Sequence, residues 1–98
     1  MKKAEKESNG KLFYEIDFSF ITAMAERMQS NKGKYEPYNW MSEIDTEQLK
    51  QALFRHVIAV MGNEYNDDGR EFGHLEAIAC NCMMLRYTLK NFSKDGSI

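Results

Sequence analysis

The sequence predicts an all-α fold: a three-helix domain built on an antiparallel helical hairpin and completed by oligomerisation. Two observations carry this. Apolar residues recur at helical spacing in three segments, each preceded by residues able to cap a helix. No segment alternates apolar and polar residues long enough to make a strand.

The elements follow in chain order. Residues 1–10 are charged and aperiodic and read as a flexible tail. Residues 11–18, KLFYEIDF, are aromatic-rich and irregular, and are expected to lie across the helices as a brace. The first helix starts near Ser19, capped by Asp17 or Ser19, because a short side-chain oxygen satisfies free N–H groups of the first turn. Phe20, Ala23, Met24, Arg27 and Met28 follow at helical spacing, and the helix ends by Ser30 or Asn31 with Gly33 as terminator. Pro37, the single proline, forbids a helix through residues 34–40. The second helix is the clearest: Asp45 caps it, Gln48 is placed to close a capping box, and Leu49, Ala52, Leu53, His56, Val57 and Val60 share a face. Gly62-Asn63 offers its end. A polar loop, NEYNDDGREFG, leads to a third helix from Gly73 or His74 to about Asn91. His74, Ile78, Asn81 and Leu85 form one stripe there, widened by Leu75, Cys82 and Leu89. A single domain is thus expected over residues 11–92, with residues 93–98 a second flexible tail.

Bulk properties narrow the function. At 98 residues the chain forms one domain and is marginal alone, so self-association has room to add burial. A net charge of -2 argues against a duplex nucleic-acid partner, which usually meets a basic face, but not against a single nucleotide. No run approaches the ~20 apolar residues of a membrane span, and no apolar segment follows the basic N-terminus as in a signal peptide. Cytoplasm is the expected location. Cys80 and Cys82 stand on different helix faces, form no CxxC motif, and read as small helix residues in a reducing compartment. No serine or cysteine has a convincing base beside it, so nucleophilic catalysis is unsupported.

The chemistry sits where polar residues interrupt apolar stripes. His56 lies near the middle of the second helix's buried face, and His74 and Asn81 interrupt the third. Buried polar groups are costly unless something satisfies them. Each alone is more often a satisfied core group; together, beside a carboxylate cluster, they point to a pocket. Glu64 and Asp67, with Asp68 and Glu71 nearby, supply that cluster. If Glu64 and Asp67 share one helical turn, both carboxylates point the same way, which suits Mg2+ or Mn2+. Without His74 the same residues would read as a solvated acidic loop.

Helix rise separates His56 and Glu64 by ~12 Å on one continuous helix, so they cannot share an ion there. An antiparallel hairpin instead gathers Glu64, Asp67 and His74 at the loop end, with His56 facing Asn81 about two turns deeper. The result is an elongated pocket with a metal or phosphate end. Arg55 and Lys34 are the cations expected to meet phosphate, against the plainer reading of ordinary surface charges. Tyr35, Tyr38 and Trp40 offer planes for stacking a base, and Asn39 an amide for its edge; Trp40 equally suits a core plug. Met24, Met28, Met61, Met83 and Met84 read as filler of the core or of an oligomer surface.

The order of these residues resembles a known family. Residues 17–31, DFSFITAMAERMQSN, and then KGKYEPYNW are similar to the opening of a small phage-encoded dATP/dGTP diphosphohydrolase-like family, distantly MazG-like. Its pattern is carried here by Lys34, Tyr35, Asn39 and Trp40, then Arg55-His56, then Glu64-x-x-Asp67, then His74 and Asn81, over residues 16–88. The resemblance implies phage nucleotide metabolism in the host cytoplasm, with acidic residues holding Mg2+ against a nucleoside triphosphate.

Two readings follow. In the first the chain is a pyrophosphohydrolase: Glu64, Asp67 and His74 hold the metal, and Glu64, Asp67 and His56 form the catalytic set. Lys34, Tyr35, Asn39, Trp40, Arg55 and Asn81 bind the nucleotide, and the products are a nucleoside monophosphate and pyrophosphate. In the second it sequesters a nucleotide or nucleotide signal without turnover, a reading favoured by the missing E-x-x-E motif before Glu64. A third, structural reading uses the buried polar groups only to fix helix pairing.

Overall fold

The computed structural model describes residues 10–30, 39–42 and 44–92. Three helices dominate: α1 (Phe18–Ser30), α2 (Thr46–Met61) and α3 (Gly73–Phe92). One-turn 3-10 helices stand at Phe13–Glu15 and Asn39–Met41. The predicted all-α class and hairpin are both present. Among the described elements, α3 packs closely against both α2 and α1, and α1 and α2 make no such close backbone approach to each other. The core is the seam along α3: Leu49, Cys80 and Met84 are buried, and Met24, Met28, Trp40, Ile44, Met83 and Leu85 pack around them.

The helix starts are set by caps. The Ser19 amide donates to Asp17 Oδ1 at 3.0 Å, and the Glu47 amide donates to Asp45 Oδ1 at 2.9 Å. The end of α2 is a Schellman motif: Asn63 takes the left-handed conformation (φ 66°), its amide donates to the Val60 carbonyl, and the Glu64 amide donates to the Ala59 carbonyl. These bonds satisfy carbonyls that the helix leaves open and turn the chain back toward α3.

Three expectations change. Residues 11–18 do not brace the helices: Leu12, Phe13, Tyr14 and Ile16 are exposed, and the backbone of the 3-10 turn they form does not pack closely on any helix among the described residues. The buried stripe of α3 is rotated from the expected one, running through Ala77, Cys80, Met84 and Thr88 while Leu75 and Cys82 face outward. The reason is α1: α3 must cover two neighbours, and the expected stripe accounted only for α2. Finally, residues 63–72 contain no helical turn, so Glu64 and Asp67 are not aligned by one. Gly33 and residues 1–9 and 93–98, including the expected tails, lie outside the described residues.

Candidate functional site

The α2–α3 loop is built by turn chemistry. Asp67-Asp68-Gly69-Arg70 is a two-residue hairpin turn, with Asp67 and Arg70 exchanging both backbone hydrogen bonds at 3.0 and 2.9 Å. Asp68 and Gly69 both have positive φ, 55° and 76°, as a type I′ turn requires. Two arginines fasten it. Arg70 Nε donates to buried Glu76 at 2.7 Å, and its Nη2 reaches Glu26 of α1 at 3.1 Å. Arg27 of α1 donates to Asp67 Oδ2 at 3.0 Å and to the Gly73 carbonyl at 3.2 Å. Gly73 lets the loop lie against the start of α3, since a Cβ there would sit 2.6 Å from the Asp67 carbonyl oxygen.

This packing brings Asp67 to a pair of histidines. His56 of α2 and His74 of α3 are both buried, and their Nδ1 atoms lie 2.8 Å apart, so one ring donates to the other. His74 Nε2 lies 3.9 Å from Asp67 Oδ1. One ligand atom from each of His56, Asp67 and His74 falls within 4.8 Å of the others, a cluster able to coordinate a divalent metal. Burial pushes the His56 imidazole below its ordinary value; the charges of Arg27, Arg55 and His74 act the same way and Asp67 opposes them. A neutral imidazole is the form that binds metal.

The cluster lines a cavity of about 770 Å³ between α2 and α3, within the range of small-ligand sites. Arg55, Glu64 and Asn81 line it too, the first two exposed and the last half-buried. Glu64 stands at this rim and outside the His56–Asp67–His74 cluster. His56 meets His74 rather than Asn81, because the α2 end and the α3 start cross at the histidines. Trp40 is not among the lining residues; it packs on the core, edge-on to Tyr87 with ring centroids 5.3 Å apart. Lys34, Tyr35 and Tyr38 lie outside the described residues, as does the side chain of Asn39.

Sequence reading missed Arg27 and Arg70. Arg27 had a signal, since it interrupts the apolar stripe of α1 just as His56 interrupts that of α2. Arg70 was legible only through the Asp-Gly pair before it, the mark of a hairpin turn.

No curated protein matches the chain, and no solved structure does. A family model described as dATP/dGTP diphosphohydrolase, N-terminal, matches residues 1–96, covering nearly the whole chain and every residue of the cluster. The chain belongs to that dATP/dGTP diphosphohydrolase N-terminal family.

Proposed function

We propose that the α2–α3 cavity binds a deoxynucleoside triphosphate and supports its metal-dependent hydrolysis to a nucleoside monophosphate and pyrophosphate. The observation that carries this is the convergence of His56, Asp67 and His74 on a nucleotide-sized cavity in a chain of this family. A divalent cation held there supplies polarisation of a phosphoryl oxygen and activation of water. Arg55 at the rim neutralises phosphate charge, with Lys34 assigned the same task. Glu64 at the rim is assigned to orient the attacking water, and Asn81 to bind the ligand's deeper end. Tyr35 and Asn39 are assigned to the nucleotide on the family resemblance. The test is incubation with dATP and dGTP in Mg2+ and in Mn2+, with products read by mass spectrometry. Pyrophosphate release that disappears in Asp67→Asn and His56→Ala supports the reading, and intact triphosphate after long incubation removes it.

One observation favours a non-catalytic alternative. Among the described residues the cluster contains a single carboxylate, Asp67, with Glu64 outside it. A module that sequesters nucleotide would show ligand-induced thermal stabilisation without product, lost in Arg55→Ala.

Self-association belongs to the same proposal. Phe54, Ile58 and Met61 of α2 are 66%, 54% and 76% exposed at i, i+4 and i+7, and Leu12, Phe13, Tyr14, Ile16 and Phe18 are exposed as well. Sedimentation of the wild type as a dimer or larger, and of Phe54→Glu/Ile58→Glu as a monomer, is the expected result. The proposed location is cytoplasmic, the host cytoplasm if phage-encoded; no helix of the described residues is long and apolar enough to cross a membrane.

A further inference from the structure

We infer that the His56–Asp67–His74 cluster is a site for a borderline transition-metal ion of the Co2+, Zn2+ class and discriminates against Mg2+. The inference rests on the cation site proposed above, but its evidence is the donor set and the charge around it. Two donors are imidazole nitrogens and one is a carboxylate oxygen. Imidazole suits the later first-row ions, whereas Mg2+ selects oxygen ligands and keeps its water.

Charge points the same way. Mg2+ is held by accumulated negative charge, usually from carboxylates and substrate phosphates. Here the one carboxylate of the cluster is already paired: Arg27 Nη2 holds Asp67 Oδ2 at 3.0 Å, with both side chains mostly buried. Arg27 therefore cancels the formal charge of Asp67 and occupies one of its oxygens. Only Oδ1, the atom facing His74, stays available as a single-oxygen ligand. Glu64 and Asp68, which would supply the missing charge, are exposed on the cavity lining and outside the cluster. What attraction remains comes from the nitrogen lone pairs.

The two histidines can share one ion through their Nδ1 atoms, whereas Asp67 Oδ1 stands 3.9 Å from the other nitrogen of His74, Nε2, so the carboxylate or that ring must turn for all three to meet the same ion. Nitrogens bound side by side to an ion at ~2.0–2.1 Å lie roughly 3.0–3.4 Å apart. The two Nδ1 atoms stand at 2.8 Å, so the rings need separate by only a few tenths of an ångström. Three protein ligands also leave coordination positions toward the cavity, where phosphate oxygens or water would enter. Arg27 acts as a positioning residue, fixing which Asp67 oxygen faces the histidines.

The test uses the full chain, stripped of metal and without nucleotide, so hydrolysis and metal choice fail separately. Zn2+, Co2+, Mn2+ and Mg2+ are titrated individually by calorimetry, and Mg2+ then competes against bound Co2+, read by its visible absorption. Expected are one equivalent of tight binding for Co2+ and Zn2+ in the order Mn2+ < Co2+ < Zn2+, and Mg2+ binding at least 100-fold weaker than Co2+. His56→Gln and His74→Gln should each lose the Co2+ spectrum. His56 and His74 are the chain's two histidines, so their ring resonances can be followed even if those variants fail to fold. Paramagnetic Co2+ should shift or broaden these signals first in the wild type. Mg2+ displacing Co2+ at comparable concentration overturns the inference. So do paramagnetic effects centred away from the two rings, or a Co2+ spectrum that survives in both folded variants.

Discussion

Replacing Gly73 with alanine opposes two effects of opposite sign. Alanine favours helix over glycine by up to about 1 kcal/mol in a helix interior, and less at Gly73, the first residue of α3. Against that gain, the new Cβ would lie 2.6 Å from the Asp67 carbonyl oxygen and 3.1 Å from Asp67 N and Cβ. Two of these three atoms are backbone, so no side-chain rotation relieves the contact. The loop must move, and overpacking of this kind costs about 1–3 kcal/mol. Strain should win by about 1–2 kcal/mol, lowering Tm by ~4–16 °C at ~4–8 °C per kcal/mol for a domain of this size. The displacement also separates Asp67 from Arg27 and His74, so Co2+ binding should weaken along with stability. Thermal unfolding and calorimetric titration of Gly73→Ala measure both. A Tm equal to or above wild type would show that the Asp67 turn does not rest on the start of α3, and the site geometry derived from that packing would fall with it.

Other outcomes follow from single groups. A folded His56 held below the usual 6.5 means that the unfolded chain takes up its proton first on acidification. Its contribution to stability is therefore whole above pH 6.5 and is lost as pH falls from 6.5 toward the folded value. Denaturant unfolding of metal-free protein should show this as a slope that flattens in His56→Gln, and equal slopes would contradict it. Burial raises the Cys80 thiol, which is 3% exposed, while Cys82 faces solvent. A thiol reagent should thus modify Cys82 promptly and Cys80 only on unfolding; two equally fast sites would be inconsistent with the α1–α3 seam. Thr88 Oγ1 is buried and has no hydrogen-bond partner among the described residues. Thr88→Val should be neutral or stabilising by up to about 1–2 kcal/mol in urea unfolding, and a clear loss of stability would reveal a partner for the hydroxyl.

Much of the fold was legible because its signals are local. Asp17 and Asp45 cap their helices through their own side chains, and Gly62-Asn63 ends α2 through its own backbone, so a short window of sequence contains the cause. The histidines were legible as polar interruptions of apolar stripes. Their contact was not: whether His56 meets His74 or Asn81 depends on where two helices cross, and periodicity carries no such register. The face of α3 was misjudged for a related reason. A stripe read from one helix assumes one neighbour, and Cys80, whose thiol approaches the Met24 carbonyl at 3.7 Å, answers to α1. The partnership of Arg27 with Asp67 spans much of the chain and left no trace except a charge on an apolar face.

The I′ turn that presents Asp67 has a consequence for how this segment can vary. Because the reversal is closed by two residues with left-handed backbone, Asp67 and Arg70 are placed by that two-residue spacing and by residue types between them that tolerate positive φ. Exposed neighbours such as Asn66 and Glu71 leave that spacing untouched when they change, apart from the bond from the Phe72 amide to Asn66. Inserting one residue into the reversal is a different event. It would swing the carboxylate off its guanidinium and carry the second arginine away from α1 in the same motion. The number of residues in the reversal, together with the left-handed backbone that Asp68 and Gly69 adopt, therefore holds this stretch of chain in place.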